Sequence, residues 1–208
     1  VTPTYLFGPC ATGVYEIPAA YTNVKAVYTN TAPVDAYRGA GRPEATYTIE
    51  RLVEKASMEL GIDKTELRIK NFPTAFPFKQ TLVHTVDSGD YVAGMEKAKQ
   101  MADYKGFEAR RKESEAKGKL RGIGVTSYFE ACGIAPSAAV MSLGCGVGLW
   151  ESAEVRFNPT GQVTVYTGSH SHGQSHQTTF AQIAADELGV SIENIDIVHG
   201  DTDKGTFG

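Results

Sequence analysis

A charged, apolar-poor stretch from residue 105 to 119 divides this chain into two parts that read at different periods. Before it, hydrophobic residues recur at helical spacing. After it, they alternate or gather in β-rich runs. The order is strands, helix, helix, linker, strands, helix and strand, which is an α+β pattern divided near residues 75 to 120. The charge run reads as a solvated helix end and linker rather than a docking patch.

In the first part, residues 14 to 34 read as extended, and Val24, Ala26 and Tyr28 alternate with polar neighbours as in a half-buried strand. At Arg38-Gly39-Ala40-Gly41-Arg42 a glycine turn runs into a helix. Pro43 suits the first helical position, where its missing N–H costs nothing, and Glu44 suits the positive end of the helix dipole. Apolar residues at 45, 49, 52, 53, 56 and 60 mark one face, and Gly61 supplies the stop. Asp63 and Glu66 make a capping box for a short helix to Lys70. Pro73 and Pro77 mark a connector, and Asp90 opens a helix with Tyr91, Met95, Ala98 and Ala102 on one side.

In the second part, residues 120–129, 148–157 and 162–167 read as strands, with Asn158-Pro159-Thr160-Gly161 as a hairpin turn. The segment from Gly168 to His176 leads into a helix with Phe180, Ile183, Ala184 and Leu188 inward and Gly189 as its stop. Ser191 caps a short turn, and Ile195-Asp196-Ile197-Val198 returns as a strand. Gly144-Cys145-Gly146-Val147-Gly148 runs into a strand, not a helix, and reads as a mobile loop.

Composition narrows the partners. A formal charge of -4 gives no basic field to hold a nucleic acid. No run of 18 or more apolar residues could span a membrane, and Val1-Thr2-Pro3-Thr4 does not begin a secretory signal. Cys10, Cys132 and Cys145 are odd in number and far apart, which argues against a disulfide framework, an iron–sulfur cluster held by this chain, or a zinc ribbon. Reduced thiols fit the cytoplasm, and each reads as a small buried hydrophobe before a nucleophile. The missing initiator methionine and the loop-like end at Asp201 to Gly208 read as an internal piece of a longer polypeptide.

The candidate chemistry sits at the two glycine turns. A helix N-terminus is a ready anion site because its first N–H groups have no internal partner. Gly39 and Gly41, flanked by Arg38 and Arg42, and then Gly173 and Gln174, open two such helices. Each turn alone also reads as a plain tight turn. Neither carries a nucleotide-binding fingerprint. His170, His172 and His176 read either as a metal site or as local hydrogen bonding and cofactor contact. His84 and His199 read as isolated and structural. Tyr128, Phe129 and Glu130 read equally as a substrate-pocket wall or as strand-end packing.

Here the sequence resembles a known family. Asp35-Ala36-Tyr37-Arg38-Gly39-Ala40-Gly41-Arg42-Pro43-Glu44-Ala45 is similar to the active-site loop of molybdenum hydroxylase large subunits, the superfamily of xanthine dehydrogenase, aldehyde oxidase and aerobic carbon monoxide dehydrogenase. Leu60 to Asp63 and Arg68 to Phe72 resemble the family's next segment after that loop. His172-Gly173-Gln174-Ser175-His176-Gln177-Thr178-Thr179-Phe180-Ala181-Gln182 resembles the later G-Q-G cofactor motif, and Gly200-Asp201-Thr202-Asp203 the stretch after it. The carbon monoxide dehydrogenase large-subunit branch is the nearest.

The resemblance implies parts of two molybdopterin-binding α+β domains: the end of the first over 1–75, a helical connector over 76–119, and the start of the second over 120–208. It implies a molybdenum ion held through the dithiolene of a molybdopterin, commonly the cytosine dinucleotide, with no direct metal ligand from this chain. Arg38, Gly39 and Ala40 would lie beside the metal. Gly41, Arg42, Gly173, Gln174 and Ser175 would bind the cofactor. The implied reaction is hydroxylation of an aldehyde, N-heterocycle or carbon monoxide-type substrate with oxygen from water. Electrons would pass to iron–sulfur and flavin (FAD) subunits or domains. Gly39 stands where the carbon monoxide enzymes carry a cysteine, which argues against carbon monoxide itself. Ser175 replaces the last glycine of G-Q-G, and the family's glutamate base lies outside these residues. Two rival readings are a non-catalytic phosphate-ligand-binding α+β module and a histidine-dependent metal hydrolase.

Overall fold

Two compact units make up the chain, residues 1–131 and 132–208. They are seen in a computed structural model that describes residues 2–131, 137–142, 146 and 150–205. The expected glycine-rich loop at Gly144 to Gly148, with Cys132 and Cys145, falls almost wholly outside the described residues.

The first unit is mainly helical: α1 (Thr2–Cys10), α2 (Arg42–Leu60), α3 (Lys64–Lys70), α4 (Tyr91–Met101) and α5 (Phe107–Ala116). A short antiparallel ladder joins β1 (Phe78–Lys79) to β2 (Thr85–Val86). Val14, Tyr15, Phe72 and Met95 are its buried core, with Ile49, Val53, Val125 and Phe129 packed around them. The Tyr15 and Phe72 rings stack at 5.7 Å.

Caps fall where the sequence puts them. Gly61 closes α2 in the left-handed conformation at φ 65. The Asp63 carboxylate accepts the N–H groups of Thr65 and Glu66 at 2.8 and 3.2 Å to open α3, and Asp90 accepts from Ala93 at 2.8 Å to open α4. Glu66 differs from the capping-box expectation, since its side chain pairs with Lys99 on α4.

The inward stripe of α2 differs from its apolar pattern. Leu52 and Leu60 are 59% and 64% exposed, while Glu50 and Ser57 are buried. At 3.6 residues per turn the stripe has rotated by roughly a quarter turn. The cause is Arg68 on α3, which is fully buried and draws in the carboxylates of α2. Its guanidinium grips Glu50 through Nε and Nη2, both at 2.8 Å, and reaches Glu54 at 3.5 Å. Nη1 donates to the Lys64 carbonyl at 2.8 Å, and Tyr15 donates its hydroxyl proton to Glu50. Burial, and then that carboxylate, raise the Tyr15 pKa, so the phenol stays neutral.

Three further expectations change. The charged stretch is more than a helix end: a 3₁₀ turn at Tyr104–Gly106 leads into α5, held by pairs such as Arg111 with Glu108 and Glu115 and Lys117 with Glu113. Such i,i+3 and i,i+4 pairs let a helix form with almost no apolar face. Residues 23–29 and 120–129 belong to no ladder. Tyr28 is 94% exposed, so the first segment is not a half-buried strand. In the second, alternation is real, with Val125 and Phe129 turned to the core. Helix α1, with Pro9 inside it, has no counterpart in the sequence pattern.

The second unit carries α6 (Ser137–Ser142), β3 (Ala153–Phe157), β4 (Val163–Thr167), α7 (His176–Leu188) and β5 (Ile195–Val198). The sheet order is β3-β4-β5. β3 pairs with β4 antiparallel, and β4 with β5 parallel in register Val163 to Ile195. The hairpin turn forms as expected, with Asn158 and Gln162 bonded across it and Gly161 at φ 88. Val163, Val165, Ala181 and Ile195 are the core, with Ala184 and Ala185 packed on it. Helix α7 therefore turns its alanines inward. Ile183, expected inside, is 61% exposed, and Leu188 is also exposed. Close approach to the sheet favours methyl groups over long side chains.

Candidate functional site

The turn before α2 is a pair of tight hydrogen-bonded loops. Ala40 N–H bonds Tyr37 O at 2.8 Å, and Arg42 N–H bonds Gly39 O at 2.9 Å. Gly39 and Gly41 sit at φ 90 and 88, where only glycine is unstrained. Their bare faces meet different things. A Cβ on Gly41 would lie 2.7–2.8 Å from Leu6 and the Phe7 nitrogen, so that glycine lets α1 pack against the start of α2. A Cβ on Gly39 would have only ordinary contacts, with Pro43 at 3.4 Å and Glu130 Oε2 at 3.8 Å.

Arg42 is turned inward, away from the role of a free cation. Its Nε lies 2.9 Å from Glu130 Oε1, an ion pair without hydrogen-bond alignment, and its Nη2 donates to the Ala131 carbonyl at 3.0 Å. Close by, the buried Cys10 thiol meets His84 Nε2 at 3.4 Å, and Phe129 sets its edge on the His84 ring. Burial raises the Cys10 pKa, with Arg42 opposing and Glu130 adding. Burial and then Arg42 lower that of His84. The pair is thus a neutral thiol beside a neutral imidazole, and a thiolate nucleophile gains no support. Glu130 joins the turn through Arg42, while Tyr128 is exposed.

The second turn lies in the other unit, at the carboxyl ends of the parallel strands β4 and β5, the edge where open α/β sheets gather their ligand loops. Gly173 has φ 100, and Ser175, a non-glycine residue, is left-handed at φ 62 and N-caps α7. The Gln174 side-chain oxygen accepts from His172 N–H at 2.5 Å, so its amide nitrogen is the part left to meet a ligand. Ser169 donates to Glu151 at 2.6 Å, and its carbonyl meets His176 Nδ1 at 3.1 Å, while the His176 ring stacks on Phe180.

His199, expected to be isolated, stands one residue past β5 and joins this loop. Its ring lies 5.3 Å from His170 and 6.4 Å from His176. The only sequence signal for this was its place at the end of a strand whose parallel neighbour feeds the loop. Among the described residues, no group of three or more His, Cys, Asp or Glu side chains is arranged to hold a metal. The donor set (side-chain amide, imidazole, hydroxyl and a helix N-terminus) suits an anionic, hydrogen-bonding ligand such as a phosphate-bearing pterin.

Comparison with known proteins agrees with that chemistry. The profile of a molybdopterin cofactor-binding domain matches residues 97–208, and a second profile of the same description matches 2–72. The chain is 40% identical to the carbon monoxide dehydrogenase large chain of Hydrogenophaga pseudoflava over 99% of its own length and 26% of the relative's. It is 37% identical to the 6-hydroxypseudooxynicotine dehydrogenase complex subunit gamma of Paenarthrobacter nicotinovorans, covering 98% of this chain and 24% of that one. Crystalline quinoline 2-oxidoreductase from Pseudomonas putida 86 superposes with a TM-score of 0.83 at 37% identity, over 100% of this chain and 26% of that structure. The chain thus spans about a quarter of the length of these relatives. Neither a binding module without redox chemistry nor a histidine-dependent hydrolase gains support from these matches. With one profile covering more than half of its residues and a second most of the remainder, the chain belongs to the molybdopterin cofactor-binding domains of the xanthine dehydrogenase and carbon monoxide dehydrogenase family.

Proposed function

We propose that this chain is part of the catalytic subunit of a molybdenum hydroxylase, acting on an aldehyde, N-heterocycle or carbon monoxide-type substrate with oxygen taken from water. The observation that carries the reading is the loop at the ends of β4 and β5, where Gly173 and Ser175 shape a turn that ends on a helix N-terminus. In this reading Gly173, Gln174 and Ser175 hold the pterin and its phosphates, the Gln174 amide nitrogen donating. Arg38, Gly39 and Ala40 line the metal side, and Gly41 and Arg42 fix the shape of that turn. The molybdenum pterin, when bound, supplies the two-electron redox chemistry and acidifies water.

The finer parts of the proposal are a cytosine-dinucleotide form of the cofactor, iron–sulfur and FAD partners, and a cytoplasmic setting. The relatives support partners, since one is named as a subunit of a complex. Among the described residues no helix is long and apolar enough to cross a membrane. For the domains, we propose the end of a first cofactor-binding domain over 1–75 and the start of a second over 120–208. The two profile matches leave 73–96 uncovered, a narrower gap than the proposed connector over 76–119.

Metal and pterin analysis of the full-length protein tests the reading. About one molybdenum and one pterin nucleotide per chain is the expected result, and Gln174→Ala should lower both several-fold. Zinc without pterin would overturn the proposal, and undiminished occupancy in Gln174→Ala would remove that residue from the site.

A further inference from the structure

We propose that His199 is a positioning residue that latches the loop of residues 168–176 into the shape that receives the cofactor's phosphates. The inference rests on the functional reading above for its ligand, but the latch itself rests on geometry. His199 Nδ1 faces the Ser171 N–H at 3.4 Å and His170 Nδ1 at 3.4 Å. On the other side of the ring, Nε2 meets the Gln177 side-chain amide at 2.7 Å. One imidazole therefore spans the loop from Ser171, before the Gly173-Gln174-Ser175 turn, to Gln177 in the first turn of α7.

One tautomer satisfies both sides, as assigned from the hydrogen-bond network. Nδ1 accepts from Ser171 and Nε2 carries the proton, once the Gln177 amide, whose nitrogen stands 2.7 Å from Nε2 as placed, exchanges its nitrogen and oxygen to accept it. The fit continues at the next residue. Gly200 has φ 70, and any side chain there would run into the His170 ring. His170 in turn sets its edge against His172, whose N–H bonds the Gln174 side chain. A line of contacts thus runs from the end of β5 to the residue proposed to bind phosphate. His199 supplies an acceptor at one end of the turn and a donor at the other, which a packing residue of equal size would not.

That difference gives the test. In Asn the side-chain oxygen stands near the place of Nδ1, and in Gln near that of Nε2. Hydrogen exchange and bound pterin are measured on full-length wild type, His199→Ala, His199→Asn and His199→Gln. In His199→Ala the Ser171 amide should exchange roughly 5- to 10-fold faster, the scale of one lost hydrogen bond, while the Val165 and Ile197 amides keep their protection. Pterin occupancy should fall several-fold. His199→Asn should restore Ser171 protection and most of the pterin, and His199→Gln should restore neither fully. Wild-type exchange at Ser171 in His199→Ala would overturn the latch, as would equal rescue by Asn and Gln. Should wild type itself hold no pterin, the functional reading falls, and the exchange of Ser171 still decides the latch.

Discussion

Replacing Arg68 by Met tests what holds the first unit together. The side chains of Arg68 and Glu50 are 1% and 7% exposed. The change removes two contacts to Glu50 at 2.8 Å, a bond to the Lys64 carbonyl at 2.8 Å and the approach to Glu54 at 3.5 Å. Glu54 keeps Lys64 as a partner, but among the described residues Glu50 keeps only the Tyr15 hydroxyl. Breaking one side of a buried pair costs about 3–5 kcal/mol, because the charge left behind is desolvated and uncompensated. At about 1.4 kcal/mol per tenfold, protection of the α2 and α3 amides in the full-length protein should drop by roughly two to three orders of magnitude. Arg68→Met with Glu50→Gln removes the stranded charge yet leaves Tyr15 an acceptor, and it should recover at least half of the loss. A single variant within about 1 kcal/mol of wild type would refute the argument. So would a double variant no better than the single.

Other outcomes concern the two turns and one cap. Ser175→Gly should stabilise the start of α7 by about 1 kcal/mol, since a left-handed backbone is costly for any residue with a Cβ; slower exchange of the α7 amides is the check. Gly41→Ala should destabilise α1 and α2 more than Gly39→Ala does, because only at Gly41 would a new Cβ meet backbone atoms of α1 at 2.8 Å, and thermal unfolding of the two variants ranks them. Gly39→Ala should cost about 1 kcal/mol from its φ alone. Burial pushes the Asp63 pKa upward, but bonds from Thr65 and Tyr104 and from the Thr65 and Glu66 backbone outweigh it and lower it from 3.8. The α3 cap therefore contributes its full stability above pH about 4 and loses it as pH falls through the lower folded value. Asp63→Asn should flatten that acid limb. Burial and the Asp63 hydrogen bond push the Tyr104 pKa up to about 12, so stability should also fall as pH rises from about 10 to 12, with phenolate absorbance as the readout.

Local signals were legible wherever a single residue fixes a backbone angle or satisfies an orphan group. Gly61, Gly189, Asp63, Asp90 and Asn158 to Gly161 stand where their chemistry puts them, because caps and tight turns depend on a few adjacent residues. The inward face of α2 was not legible, since the apolar count gives no sign that a buried arginine on α3 would draw in Glu50 and expose Leu52. Alternating burial was legible at 120–129, with Val125 and Phe129 turned inward, but a sequence does not state which neighbour completes a ladder. The charged stretch of α5 read as a linker because helix pairs of Arg, Lys and Glu look the same as a solvated coil in composition alone. For the site, the two glycine turns carried the signal. His199 and Glu130 reach them from 22 or more residues away in sequence, and only the fold brings such pairs together.

The alanines on the inner side of α7 have a consequence for how this unit tolerates change. Ala181, Ala184 and Ala185 let the helix lie at methyl distance from β4 and β5. They act as a gauge block that sets the height of the helix, and with it the height at which its first residues leave the sheet. A larger side chain at any of the three would be absorbed by lifting the helix, since the strands are tied by their ladder. The displacement would then emerge at Gln174 and Ser175. Mutational drift in this small core is therefore felt at the loop as well as in lost stability.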